Sequence, residues 1–411
     1  MRHRTLAGLA ALCLTGCTSM KTVADPPALA STEEPLRSLL RARPQIVETL
    51  HDAEARRIQI VLGWIESDAS GQAVLRQASF RAGAEYFYPA STVKTFAAVA
   101  ALERLAEIRR ETGLPIDRDT PMHLHPLFEG EKLEQEDVSH LAGGTITVGH
   151  EIRKLAIVSD NEAFNRLYEL VGQDGLAASL ARAGLTEPRI VHRLSEPRSA
   201  EENRRTPRTD FVLPDGALLT IAERQSEPLQ PQPPLPGLLV GKGYMANEAR
   251  VDEPMDFSAK NRISLVDLQR GLCKIVRPDA DCGGGPAFEL EESDRQFLLQ
   301  AMTDLPRESA DPVYDPVEFP DAYVKNLLPG LEQEIPRARL RIVNKTGEAY
   351  GFSIENAWVE DRESGRGYFF AATIYTNDDG ILNDDRYEYA TVARPFFVEL
   401  GRALGGQLKK P

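Results

Sequence analysis

Strand-like and helical spacing divide this chain in a way that few folds can satisfy. "RIQIVLGWIES" and "QAVLRQASFR", residues 57–67 and 72–81, read as strands, and the Asp-Ala-Ser-Gly between them predicts a hairpin. Three more strand-like runs come near the far end: "ARLRIVNKTG" (338–347), "GFSIENAWVED" (351–361) and "GYFFAATIYTN" (367–377). Helical patterns dominate between about residues 95 and 186, among them "NEAFNRLYELVG" and "DGLAASLARAG", and return in "SLVDLQRGLCKIV" and "EESDRQFLLQAM". "PLRSLLRARPQIVETLHDAEARR" before the first strand and "YATVARPFFVELGRAL" after the last are also helical, the former with one interrupting proline. A sheet completed by the two ends of the chain, with a helical lobe inserted, is the simplest arrangement. The predicted class is α+β: a mainly antiparallel sheet of N- and C-terminal strands with flanking helices, plus an inserted all-α lobe.

The first residues read differently. "MRHRTLAGLAALCLTGC" has two arginines, a short apolar body and small residues before Cys17, the pattern of an export signal rather than a membrane span. Leu-Thr-Gly-Cys resembles the bacterial lipobox, which implies cleavage before Cys17 and its acylation. The expected organisation is a signal peptide over 1–16, a small, polar, proline-bearing tether over 17–34, and a folded domain over 35–411. Within that domain, one lobe takes about 35–95 and 287–411, and the helical lobe with its insertion takes about 96–286. The expected location is periplasmic, lipid-anchored to a bacterial membrane, the outer one. Cys273 and Cys282 remain after processing; an oxidising compartment lets them pair, and two free thiols are the alternative. A net charge of -14 excludes a general nucleic-acid role, which needs a basic face. Residues 187–262 are irregular, and "SEPLQPQPPLPG" (226–237) is a surface loop that cannot be regular helix or sheet.

Chemistry concentrates in "YPASTVKTFAAVAAL", residues 88–102. Ser91 and Lys94 stand three apart at a helix start, so they share a face. A lysine can take the serine proton where burial or nearby positive charge lowers its pKa, and a helix N-terminus supplies N–H groups for an oxyanion. Ser-x-x-Lys alone is a common chance pattern, and a serine there is often only a cap. Two further motifs follow in order: Ser159-Asp160-Asn161 between two helical stretches, and Lys345-Thr346-Gly347 at the end of a strand-like run.

Ser-x-x-Lys, Ser-Asp-Asn and Lys-Thr-Gly in this order resemble the penicillin-recognising serine hydrolases, most closely the class A β-lactamase-like group, over roughly residues 55–405. The resemblance implies the β-lactamase/transpeptidase-like architecture and assigns roles. Ser91 would be the nucleophile that forms an acyl-enzyme, and Lys94 would assist its deprotonation. Ser159 would pass a proton to the leaving nitrogen. Asn161 would bond the substrate amide and Lys94. Lys345 and Thr346, leading into Gly347, would hold a substrate carboxylate. The backbone N–H groups of Ser91 and Glu348 would form the oxyanion hole. No cofactor and no metal are implied; the partner is a small molecule, a β-lactam or cell-wall peptide, and the chain is expected to act as a monomer.

The match weakens at four places. The deacylating glutamate is assigned to Glu196, which precedes Pro197, with Glu201 and Glu202 as rivals and Asn203 later than the family's asparagine. Glu348 stands where relatives keep a small residue; an acid there opposes a substrate carboxylate or selects a positive group. "GFSIENAWVED" lacks the arginine that many relatives carry. The long gap before Lys-Thr-Gly places an insertion over 200–262, able to lid or line the cleft. His123, His125, His140 and His150 could suggest a metal site, but they lack ligand spacing and read as loop histidines. The first reading is β-lactam hydrolysis. A penicillin-binding D,D-peptidase or an esterase on the same fold is the runner-up, and a non-catalytic periplasmic binding lipoprotein is the alternative of another class.

Overall fold

A computed structural model describes residues 25–131 and 144–410. Cys17, the signal segment 1–16, the first part of the tether and His140 lie outside them. Five strands form one antiparallel sheet: β1 (Gln59–Ser67), β2 (Ala73–Phe80), β3 (Leu340–Ala349), β4 (Phe352–Asp361) and β5 (Arg366–Tyr375). Their order is β3-β4-β5-β1-β2, so the first strand of the chain lies between the second and the last. The β1–β2 hairpin closes where Asp68 Oδ1 accepts from the N–H of Ser70 (2.8 Å) and of Gln72 (3.0 Å).

Alternation along the central strands separates two cores. Ile60 and Leu62 of β1, with Phe370, Ala372 and Ile374 of β5, face one side. Val61, Phe369 and Ala371 face the other. The first side is covered by α1 (Leu36–Arg41), α2 (Pro44–Leu50) and the apolar residues of the C-terminal helix described below. The second meets the helical lobe: α3 (Lys94–Thr112), α4 (Val148–Ile157) and α5 (Asn161–Arg182), then α6 (Leu265–Val276) and α7 (Glu292–Thr303). The chain closes with α8 (Arg394–Leu408). Helix α3 carries the alanine-rich run and is buried on nearly every side, as a central helix must be. Helix α5 breaks at Gly172, whose φ of +79° interrupts the two helical patterns the sequence separates there.

Three expectations change. Residues 25–34 are not a free tether: Pro27–Ala30 forms a helical turn and Leu29 is fully buried in the core on the α8 side. Replacing Leu29 by Ala is therefore expected to cost about 2–4 kcal/mol in urea unfolding, whereas a tether residue would cost nothing. The lobe boundary at 286/287 also moves. Helix α6 packs on the sheet, where Gln269 Nε2 donates to the Val61 carbonyl (3.0 Å) and Asn356 Nδ2 to that of Leu268 (2.9 Å). Its apolar stripe of Leu265, Leu268, Leu272 and Ile275 explains why. Finally, the inserted lobe is not purely helical. Short strands occur within 200–262, and Thr209–Val212 pairs with both Leu218–Ile221 and Met122–Leu124. Residues 226–237 are irregular.

In this structure Cys273 and Cys282 are joined, with Cα atoms 5.8 Å apart. His125 Nε2 lies 2.6 Å from Asp210 Oδ2, and His150 is buried in the first turn of α4. Among the described residues no group of three or more His, Cys, Asp or Glu is arranged to hold a metal. Nor is any helix among them long and apolar enough to cross a membrane.

Candidate active site

The three motifs meet at one end of β3, between the sheet and the helical lobe. Ser91 lies in a 3-10 turn, Ala90–Val93, that runs directly into α3, and Lys94 is the first residue of that helix. Ser159 occupies the turn between α4 and α5, and Asn161 begins α5. Asp160 caps α5 by accepting from the Ala163 N–H (2.8 Å). Lys345, Thr346 and Gly347 lie inside β3 rather than at its end, because pairing with β4 continues to Ala349. A Cβ at Gly347 would stand 2.7 Å from the Pro89 carbonyl and 2.9 Å from the Ser91 nitrogen. Only glycine lets the strand press against the turn that carries Ser91, and this close approach brings the next residue, Glu348, beside the same turn.

Ser159 is the hub. Lys345 Nζ donates to Ser159 Oγ (2.8 Å) and to the Thr346 carbonyl (3.0 Å). Lys94 Nζ lies 3.4 Å from the same Oγ, donates to Asn161 Oδ1 (2.7 Å), and also bonds the Ser159 carbonyl. Both lysines are buried. Burial and then the neighbouring Lys345 charge hold Lys94 well below the ordinary lysine range, against a smaller pull from Asp160. Burial pushes Lys345 down to about 7, with Glu355 opposing that shift and Lys325 adding to it. A lysine whose pKa is lowered in this way gives up its proton more readily than an ordinary lysine, which suits it to accept a proton from a serine on its own helical face. Backbone strain marks the same place: Ala90, Ser159, Ser195 and Tyr350, none of them glycine, have φ of +48°, +63°, +55° and +53°.

Glu196 is placed differently from the lysines. It borders the same cleft as Ser91, but its Oε1 accepts from Arg198 Nε (2.6 Å) and its Oε2 lies 3.5 Å from Asn165 Nδ2. The structure does not bring it into the bonds around Lys94. Ser195, one residue earlier, comes closer: its Oγ accepts from Asn161 Nδ2 (2.8 Å). Of the rivals, Glu201 is exposed and Glu202 accepts from the Ser199 N–H (2.8 Å).

Sequence reasoning missed what holds this loop. Asn165 grips the Leu194 backbone at both ends, accepting from its N–H (2.9 Å) and donating to its carbonyl (3.0 Å). Buried Arg193 donates to Glu169 Oε1 (2.7 Å), and Asn203 Oδ1 accepts from the Arg193 N–H (3.0 Å). The available signal was Asn161 and Asn165, four apart on one helix face. The insertion lines the cleft: Pro228, Gln232 and Pro234 border a cavity of about 1210 Å³ that also includes Ser91, Tyr88 and Glu348.

Residues 70–213 match the family model described as the beta-lactamase enzyme family. The chain is similar to solved beta-lactamase structures. That from Desulfarculus baarsii shares 15% identity over 89% of this chain and 96% of the other, with a TM-score of 0.48. Those from Burkholderia vietnamiensis (13% identity, 91% and 96% covered, TM-score 0.47) and Xanthomonas campestris (17%, 86% and 93%, 0.44) are comparable. No curated protein matches. The chain has a mixed α+β fold, and its residues 70–213 match the model of the beta-lactamase enzyme family.

Proposed function

We propose that this protein is a serine hydrolase that opens β-lactam amides through an acyl-enzyme on Ser91. The observation that carries the proposal is the convergence of Lys94 and Lys345 on the Ser159 hydroxyl beside the Ser91 turn. Ser91 Oγ attacks the lactam carbonyl while its proton passes to neutral Lys94. The carbonyl oxygen, as it becomes negative, is received by the N–H groups of Ser91 and Glu348. The C–N bond then breaks, and the nitrogen takes a proton through Ser159, leaving the acyl group as an ester on Ser91. Water hydrolyses that ester, returning the serine and releasing a carboxylic acid. Intact mass after exposure to a penicillin is the test: an adduct of the penicillin's mass on Ser91, followed by release, is the expected result. A protein that gains no mass would act as a binder and not as an enzyme.

Glu196 remains the acid proposed to orient the deacylating water, since it borders the cleft. Glu196→Ala is expected to acylate normally and to release product at least about 100-fold more slowly, read as persistence of the adduct. Normal release in the mutant would reassign the step. The Arg198 contact supports a second reading, an acyl-enzyme of the D,D-peptidase or esterase kind that releases slowly in the wild type. We further propose export, cleavage before Cys17 and lipid anchoring on the periplasmic side of the outer membrane, supported by the lipobox-like Leu-Thr-Gly-Cys.

A further inference from the structure

The face of β3 that carries Thr346 has an unusual set of neighbours. Strand register places Glu355 directly across from Thr346 and Ser353 across from Glu348. Side chains two apart on a strand share a face, so Thr346, Glu348, Ser353 and Glu355 lie together. Glu355 is fully buried and already committed: it accepts from Asn344 Nδ2 (2.6 Å) and from the Asn326 N–H (2.9 Å). It therefore leaves no cation opposite Thr346. Glu348 instead reaches the cleft, where its side chain is exposed and only Oε1 is engaged, by Ser353 Oγ (3.1 Å).

Two of the nearby cations are committed elsewhere. Lys345 is held by Ser159 and the Thr346 carbonyl. Lys325 is buried behind the strand on Asn344 Oδ1 (2.7 Å) and the carbonyls of Met302 and Ile342. Arg394 pulls on Glu348 but forms no ion pair with it. Tyr323 and Tyr389 are the other titratable neighbours, and both are neutral phenols near pH 7. An anionic group placed beside the Thr346 hydroxyl would meet a carboxylate one strand repeat away, about 7 Å along β3; the cations left to offset it are Arg394, exposed and near Glu348, and Lys260, which lies in the same cleft over the Tyr350 ring.

We infer that Glu348 is a specificity-determining residue that turns this subsite toward substrates with a cationic or neutral hydrogen-bond donor group where a penicillin carries its carboxylate. The inference rests on the acyl-enzyme reading above and names the substrate class for that site. The ammonium or amide N–H of such a group would bond the unengaged Glu348 oxygen while Thr346 Oγ takes up the neighbouring atom. Compounds bearing a free carboxylate there bind, but less well, because they push two negative charges together.

The test is a charge series on the wild type: benzylpenicillin, its methyl ester and its 2-aminoethyl amide. The expected order of kcat/KM for acylation is ammonium above ester above carboxylate, with at least about tenfold between the ends. In Glu348→Gln the ratio of ammonium to carboxylate is expected to fall at least about fivefold. A wild type that takes the carboxylate as fast as the ammonium compound overturns the inference, as does an unchanged ratio in the variant. Ser91 adducts are followed by mass throughout. Adducts without the charge preference sink the inference and leave the acyl-enzyme reading standing; no adduct with any of the three compounds sinks both.

Discussion

Ser91→Ala is expected to fold normally, to gain no mass from any β-lactam, and to lose about 10⁴- to 10⁶-fold in hydrolysis. The size follows from the absence of a substitute. Ser159 Oγ accepts from Lys345 Nζ and lies 3.4 Å from Lys94 Nζ, so its electron pairs face two lysine nitrogens instead of a carbonyl carbon. Ser91 instead sits half-buried at the start of a helix, facing the cleft. Its substitution removes only a hydroxyl from that turn, so circular dichroism and the unfolding midpoint should stay close to wild type. An adduct that persists on another residue of the variant would end the case for position 91.

Lys94→Met is expected to slow acylation by about 10³- to 10⁴-fold, and Lys94→Arg by as much, since a guanidinium keeps its proton. A variant Lys94→Arg with near-normal acylation would mean that the lysine serves as a fixed charge and not as a base. The same chemistry sets the pH dependence. In the proposed mechanism Lys94 acts unprotonated, so its limb rises with pH through a value well below 10.5. In the same mechanism Lys345 acts protonated, so its limb falls as pH rises through about 7. Acylation should therefore fall about tenfold per unit as pH rises above about 7, the two limbs belonging to the coupled pair and not to single residues. A profile that keeps rising to pH 10 would contradict the buried, charge-crowded site.

The sheet was legible because its strands are long and bounded. "RIQIVLGWIES" and the three C-terminal runs fall on β1, β3, β4 and β5 to within two residues. Helix α5 even breaks where Gly172 ended the first periodic stretch. The motif residues were legible because Ser-x-x-Lys, Ser-Asp-Asn and Lys-Thr-Gly are short and ordered. The rest depended on contacts between distant segments. Leu29 looks like any residue of a small, proline-bearing stretch until the core that accepts it is known. The short strands within 200–262 have too few residues to show an alternation of their own. Glu196 was chosen by its proline neighbour, whereas its environment depends on Arg198 and Asn165.

The placement of β1 between β2 and β5 has a consequence for how the molecule comes into being. Val61 pairs with Ala371, about three hundred residues later. A nascent chain emerging from N- to C-terminus can make the first hairpin at once, but the hairpin's inner edge stays bare until the final strand arrives. Closing so large a loop is slow, so the two halves of the proposed catalytic pocket, Ser91 near one end of the sequence and Lys345 near the other, come together only after nearly the whole polypeptide has been delivered.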